Sequence, residues 1–269
     1  MLAILAPKKN YKYLYGPVSS WRLGISLGID PISTKGKTCN FDCIYCQLGK
    51  TTHLGNERKV FVPTEELLQE IKSLPTDLPI DHLTFSGRGE PTLAKNLGEM
   101  IRELKKIRKE KIAVITNSSL MYDREVRDDL LSADFVLAKL DACSQDTFET
   151  IDRAIEGMRL DFILDGIKDF RSFFRGKLAL QIMFMEENKK YAEKIASIAK
   201  TIGPDEVELS TPIRPSAVKP LSPKELSILK EYFKGLSLIT VYDKTTEATE
   251  PFDTKRTIQR HGHYTMKVE

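Results

Sequence analysis

The chain has 269 residues, of which 41% are hydrophobic and 29% charged, enough to bury a substantial core, too polar for a membrane protein and too apolar for a disordered one. No apolar run approaches the length of a spanning helix, and MLAILAPKK places its lysines behind a short apolar stretch, so neither an anchor nor a secretory leader is expected. The net charge of +3 is too small to name a partner, and the expectation is a cytoplasmic enzyme.

In chain order, residues 1–20 are expected to form a short N-terminal arm. Strands are predicted near 21–29, 82–87, 111–117, 135–141, 178–185 and 206–211, and helices near 64–74, 94–109, 123–131, 160–174, 188–202 and 223–235. This alternation is the pattern of parallel βα units. It predicts an α/β fold, a partial (β/α)6 barrel over residues 21–236. A last strand, LITVYD, and a basic tail are expected to fill the extension 237–269.

Strand parity says what the barrel holds. Parallel strands covered on both faces read as nearly continuous apolar runs, and several of these do not. Leu23, Ile25 and Leu27 oppose Arg22, Gly24, Ser26 and Gly28, while Leu83 and Phe85 oppose Thr84 and Ser86. Lys139 shares a face with Asp141, Gln181 with Met183, and Glu208 with Ser210. If the apolar faces meet the helices, the polar faces converge in an interior that is wet or filled by a polar ligand, not packed with Val, Ile and Leu. A slip of one residue in register would instead turn these side chains outward.

Cys39, Cys43 and Cys46 cluster in TCNFDCIYCQLG, and the remaining cysteine, Cys143, lies far downstream. A [4Fe–4S] cluster takes four cysteine ligands, so three would leave one iron open. A structural zinc would need a fourth ligand, for which His53 is nearest, and three clustered thiols cannot pair evenly into disulfides. The turn FSGRGEPTL, residues 85–93, offers Gly87 and Gly89 for close backbone approach and Glu90 as an anionic acceptor suited to an ammonium group, although turns commonly use such residues. Asn117 and Asp141 end their strands at the rim where such barrels hold active sites, as ligand contacts or as caps. Lys139 is placed to neutralise a ligand carboxylate or to pair with Glu208. In STPIRPSAVKP, Pro212 and Pro215 stiffen a loop whose Arg214 is either a clamp for a carboxylate or phosphate or a plain surface arginine. Cys143 reads as a buried thiol or as a hydrogen-atom donor near the rim.

The spacing C-x3-C-x2-C, with Tyr45 before the last cysteine, resembles the signature of the radical S-adenosylmethionine (SAM) superfamily. Together with YGPVSSWRLGISLGI, TFSGRGEPTL, VITNSSL, LDACSQDTF and STPIRP it resembles the branch grouped with the archaeal wyosine-base (tRNA) synthases, over about residues 13–220. The resemblance implies a [4Fe–4S] cluster on Cys39, Cys43 and Cys46 whose open iron chelates the amino and carboxylate groups of SAM. It implies SAM contacts from Gly87, Gly89 and Glu90; Tyr45, Ser86, Asn117, Lys139, Asp141 and Met183 are assigned beside them as SAM contacts, and Arg22, Ser210 and Arg214 as substrate contacts. The implied reaction splits SAM reductively into methionine and a 5′-deoxyadenosyl radical that takes a hydrogen atom from a substrate. A flavodoxin- or ferredoxin-like donor would dock at a cationic rim of Lys35, Lys37 and Lys50.

The wyosine synthases carry additional N-terminal cysteines, and this chain has none before Cys39, which leaves the tRNA reaction open. The arm interleaves Lys8, Lys9 and Lys12 with Tyr11, Tyr13 and Tyr15, and the tail carries Lys255, Arg256, Arg260, His261, His263 and Tyr264. Such a mixture suits RNA, or else the tyrosines pack on the barrel and the lysines are solvated. Modification of a peptide or small molecule, and a cluster protein that only carries electrons or senses oxygen and iron, are the alternatives.

Overall fold

In the computed structural model, residues 11–76, 78–243 and 249–262 are described. The chain runs β1 (Leu14–Ser20), β2 (Gly24–Ile29), the short β3 (Thr38–Cys39) and β4 (His53–Leu54), α1 (Thr64–Lys72), β5 (His82–Phe85), α2 (Leu97–Ile107) and β6 (Lys111–Thr116). It continues through α3 (Arg124–Leu130), β7 (Phe135–Lys139), α4 (Gln145–Ile151), α5 (Leu160–Phe173), β8 (Lys177–Met183), α6 (Ala192–Ile202), β9 (Glu206–Ser210), α7 (Pro223–Lys230), β10 (Leu238–Thr240) and α8 (Thr254–His261). Among these residues the main sheet has the order β1-β2-β5-β6-β7-β8-β9-β10, and every neighbouring pair is parallel except β1 with β2. The sheet curls into a partial barrel with helices outside. No helix among the described residues is long and apolar enough to cross a membrane.

Helix α2 shows how the outer layer attaches. LGEMIRELKKI buries Leu97, Met100, Ile101 and Leu104 at the i, i+3, i+4 and i+7 positions of one face and leaves Arg102, Lys105 and Lys106 in solvent. That face meets the outward residues of the strands, Leu83 and Phe85 of β5 and Ile112 and Val114 of β6, in one continuous core. Each such side chain contributes about 1.5–3 kcal/mol when fully buried.

The inner face is graded. At the N-terminal ends of the strands Leu23, Ala113, Phe135, Leu137 and Ala179 form a small separate apolar cluster with Ile115 against it. Towards the C-terminal ends Ser26, Gly28, Thr84, Ser86, Lys139, Gln181 and Met183 face a cavity, while Leu23, which parity grouped with Ile25 and Leu27, precedes β2 and joins the floor instead. The barrel therefore has a dry floor and a polar mouth.

Three elements depart from the sequence reading. Residues 14–20, expected in an arm, form β1, the antiparallel edge of the sheet; Gly16-Pro17 reads as a turn, but an edge strand tolerates proline. Helix α4 is capped by Ser144 in a box closed by Thr147, a weaker sequence signal than Glu or Gln at that position. Helix α8 replaces part of the expected tail, and its buried residues are Thr257 and Arg260, so no apolar stripe announces it. Lys8, Lys9, His263 and Tyr264 lie outside the described residues.

Candidate active site

The cysteine loop starts from a two-residue ladder in which Thr38 and Cys39 of β3 pair with His53 and Leu54 of β4. Beyond it, Cys46 N donates to Cys43 O at 3.0 Å and Gly49 N to Cys46 O at 2.9 Å, winding the loop into consecutive tight turns. The loop rests on the end of α4: Ile44 N donates to Ile151 O at 2.9 Å and Asp42 N to Asp152 O at 3.0 Å. Phe41 packs edge-on against Phe148 at 5.3 Å between ring centroids. All three cysteines line the mouth of the barrel.

Phe41 N and Asn117 Nδ2 donate to the Cys39 sulfur at 3.4 and 3.6 Å. Burial, with the Glu90 charge adding to it, pushes the Cys39 thiol up to about 12, and burial followed by the Asp152 charge drives Cys43 well above the usual thiol range. Metal binding deprotonates such thiols. Lys37 is buried among them; burial lowers its pKa, but the thiolates of Cys46, Cys39 and Cys43 outweigh this and hold it above the usual lysine value. His53, the candidate fourth zinc ligand, is exposed, and no three His, Cys, Asp or Glu side chains among the described residues converge closely enough for a single metal ion. A four-iron cluster takes its thiolates one per iron, and the donor set, three thiols on one polar cavity with N–H groups aimed at a sulfur, fits that arrangement.

The Gly87–Glu90 turn is laced to β3. Thr38 N donates to Arg88 O at 2.9 Å and Glu90 N to Thr38 O at 3.2 Å. Gly89 has φ +153°, and a Cβ there would fall 1.6 Å from Thr38 O, so only glycine allows this approach. Gly87 has φ +128°, with the Asp30 side chain 2.7 Å from where a Cβ would stand.

Glu90, expected to meet an ammonium group, is largely occupied by the protein. Its Oε1 accepts from Thr92 N at 3.0 Å, Thr92 Oγ1 at 2.7 Å and Thr116 Oγ1 at 2.6 Å, and its Oε2 accepts from Asn117 N at 2.7 Å. Only Oε2 keeps acceptor capacity. Burial raises this carboxyl despite the hydrogen bonds that pull it down. Asn117 lines the cavity and also donates to Asn40 Oδ1 at 2.7 Å.

Asp141 requires a correction. It is buried, its Oδ1 accepts from Met183 N at 2.6 Å, and its Oδ2 accepts from the Tyr45 hydroxyl at 2.5 Å with Lys139 Nζ at 3.2 Å. It stands behind the cavity lining and locks the residues that form it, because Tyr45, Lys139 and Met183 all reach the cavity. The Lys139 ammonium also lies 4.8 Å from the Tyr45 ring centroid. Lys139 pairs with Asp141, and the partner of Glu208 is Arg22, with Arg22 Nε 2.7 Å from Glu208 Oε2. Ser86 lines the cavity and shares a hydrogen bond with Tyr15 Oη at 2.5 Å. Ser210 is buried in a smaller adjoining pocket that also touches Arg22 and Arg214. Cys143 faces a different pocket, beside Met158 and Leu164, away from the mouth.

Among the cavity residues that sequence reasoning missed are Lys37, Gln47, Arg260 and His261. Helix α8 lies along β1, where Gly16 N donates to Thr257 Oγ1 at 3.0 Å. Arg260 Nε donates to Asp30 Oδ2 at 2.9 Å, and Gln47 Nε2 donates to His261 O at 2.7 Å, beside Cys46. Among the described residues of the arm and tail, Arg260 and His261 therefore face inward and Tyr11, Tyr13 and Tyr15 are buried, whereas Lys12 and Lys255 are exposed. Lys35 and Lys50 are exposed, but Lys37 is not, which reduces the expected cationic rim to two of its three members.

A family model described as the radical SAM superfamily matches residues 34–199. The UPF0026 protein of Synechocystis sp. is 43% identical over 213 residues, covering 79% of this chain and 78% of its own. Streptococcus suis SuiB bound to S-adenosylmethionine has a similar fold, with TM-score 0.61 and 16% identity over 81% of this chain and 50% of that one. Archaeal TYW1 gives TM-score 0.55 and 15% identity over 79% and 72%.

Proposed function

The chain belongs to the radical SAM superfamily, whose members are enzymes that use a [4Fe–4S] cluster and SAM, and from that premise we propose that it holds the cluster on Cys39, Cys43 and Cys46 and binds SAM in the mouth of its barrel. The observation that carries the reading is the meeting of the three cysteines, the Gly87–Glu90 turn and Asn117 on one polar cavity. When bound, the cluster and SAM supply reductive cleavage to methionine and a 5′-deoxyadenosyl radical that abstracts hydrogen from a substrate.

The chain's own residues bind and orient. The Gly87–Glu90 turn offers backbone groups and the free capacity of Glu90 Oε2 to an ammonium group. The Asp141 lock fixes the Tyr45 ring, and so the Cys43–Cys46 turn, against the wall formed by Lys139 and Met183. The apolar floor excludes water from below.

In anaerobically reconstituted, reduced protein, added SAM is expected to change the cluster spectrum and yield 5′-deoxyadenosine, whereas a protein that only carries electrons does neither. Cys43→Ala is expected to abolish both effects; SAM cleavage that survives it would refute the ligand assignment.

The finer reading is a cytoplasmic enzyme of tRNA modification, supported by the resemblance of the sequence blocks to the wyosine-synthase branch and by the fold shared with archaeal TYW1. RNA affinity should then fall steeply with salt. A flat response would move the substrate to a peptide or small molecule.

A further inference from the structure

The charge balance of the cavity is uneven. Of the cations lining it, Arg22 faces Glu208 at 2.7 Å, Lys139 faces Asp141 at 3.2 Å, Arg260 faces Asp30 at 2.9 Å, and Lys37 has Asp42 at 4.0 Å. Arg214 has no carboxylate within 4.0 Å among the described residues. Its Nη1 donates to Gln47 Oε1 at 2.8 Å and its Nη2 to His261 Nε2 at 3.0 Å, both neutral acceptors, and its buried Nε has no partner among the described residues. A guanidinium carries five donors, so three are uncommitted. Burial, with the Arg22 and Tyr15 charges acting in opposite senses, pulls the Arg214 pKa down to about 10, so it stays charged. Burial and the charges of Arg214 and Arg22 pull His261 down to about 3, so His261 accepts without adding charge.

The rest of the lining points the same way. Gln181 is buried with its Nε2 donor unpartnered among the described residues, while the lining carboxylate, Glu90, already accepts four hydrogen bonds. The wall is rich in donors and holds an uncompensated positive charge, a costly arrangement unless a bound group completes it. On the reading above, SAM's own carboxylate would be taken by the open iron of the cluster. Resting on the reading that this cavity is the reaction chamber, we infer that Arg214, held by Gln47 and His261, receives an oxyanion, a phosphate or carboxylate, of the enzyme's second substrate.

The test uses the full chain loaded with its cluster, with inorganic phosphate and acetate as probes. Phosphate or acetate is expected to raise the unfolding temperature of the wild type, with affinity lost by about tenfold or more in Arg214→Gln and partly kept in Arg214→Lys. SAM affinity, read from the electron paramagnetic resonance spectrum of the reduced cluster, should change by less than about twofold in Arg214→Gln. A loss of SAM affinity of about tenfold would overturn the inference in favour of the SAM carboxylate. Absence of anion stabilisation in the wild type, or undiminished stabilisation in Arg214→Gln, would overturn it outright. Should that variant not fold, phenylglyoxal labelling of the wild type decides: phosphate must protect Arg214, and protection by SAM alone, or by neither, sinks the idea. Formation of 5′-deoxyadenosine by the wild type tests the radical reading separately, so the two failures are distinguishable.

Discussion

Two walls of the same cavity are built on opposite rules. On the wall of the glycine turn and the β7–β8 strand ends, the buried carboxylates Glu90 and Asp141 take seven contacts between them from protein donors. Around Arg214, and at Gln181 where β8 borders it, buried donors stand without acceptors. Satisfied polar groups fix geometry, and unsatisfied ones are retained where a ligand will supply the missing half. The first wall holds the cysteine loop and the turn in place; on the inference above, the second is the part a substrate would complete.

Substitutions can break this contrast. Glu90→Ala should cost about 3 kcal/mol or more in urea unfolding, because it strands the buried donors of Thr92, Thr116 and Asn117. Arg214→Gln, although its side chain is also enclosed, should leave the unfolding midpoint unchanged or higher, since it removes an uncompensated charge. Equal destabilisation by both would erase the distinction between the walls.

Glu208 sharpens the comparison through pH. Burial raises its carboxyl from 4.5 to about 7 even though Arg22 pulls it down. The folded chain therefore binds this proton more tightly than the unfolded chain does, and the stability contributed below pH 4.5 is lost as pH rises towards about 7. Glu208→Gln should flatten the stability profile across that window, and an unchanged slope would mean that Arg22 keeps the carboxylate ionised throughout.

The smallest effect is expected outside the cavity. Lys35→Ala with Lys50→Ala should slow reduction by an acidic flavodoxin-like donor a fewfold at low salt and not at high salt, with stability unchanged. Reduction rates that ignore both lysines would place donor docking elsewhere.

Much of this was legible in the chain. Alternation in βα units fixed the barrel, and period-two parity put Ser26, Thr84, Ser86, Lys139, Gln181 and Met183 inside it. The apolar floor escaped because Phe135, Leu137 and Ala179 share parity with Lys139 and Gln181, and only depth along the strand separates them. The role of Asp141, two residues past β7, was not readable: whether a carboxylate meets a ligand or a tyrosine depends on a partner 96 positions away. Helix α8 escaped because its inward side chains are a threonine, an arginine and a histidine, residues that sequence patterning assigns to solvent.

That helix bears on how the site is made. Gln47 and His261, which touch over the cysteine loop, are 214 positions apart. At about 5–20 residues per second of synthesis, the thiols emerge roughly ten to forty seconds before the helix that will cover them. The nascent chain thus passes through an interval in which the cysteine loop lies uncovered, until the later-made helix α8 packs beside it.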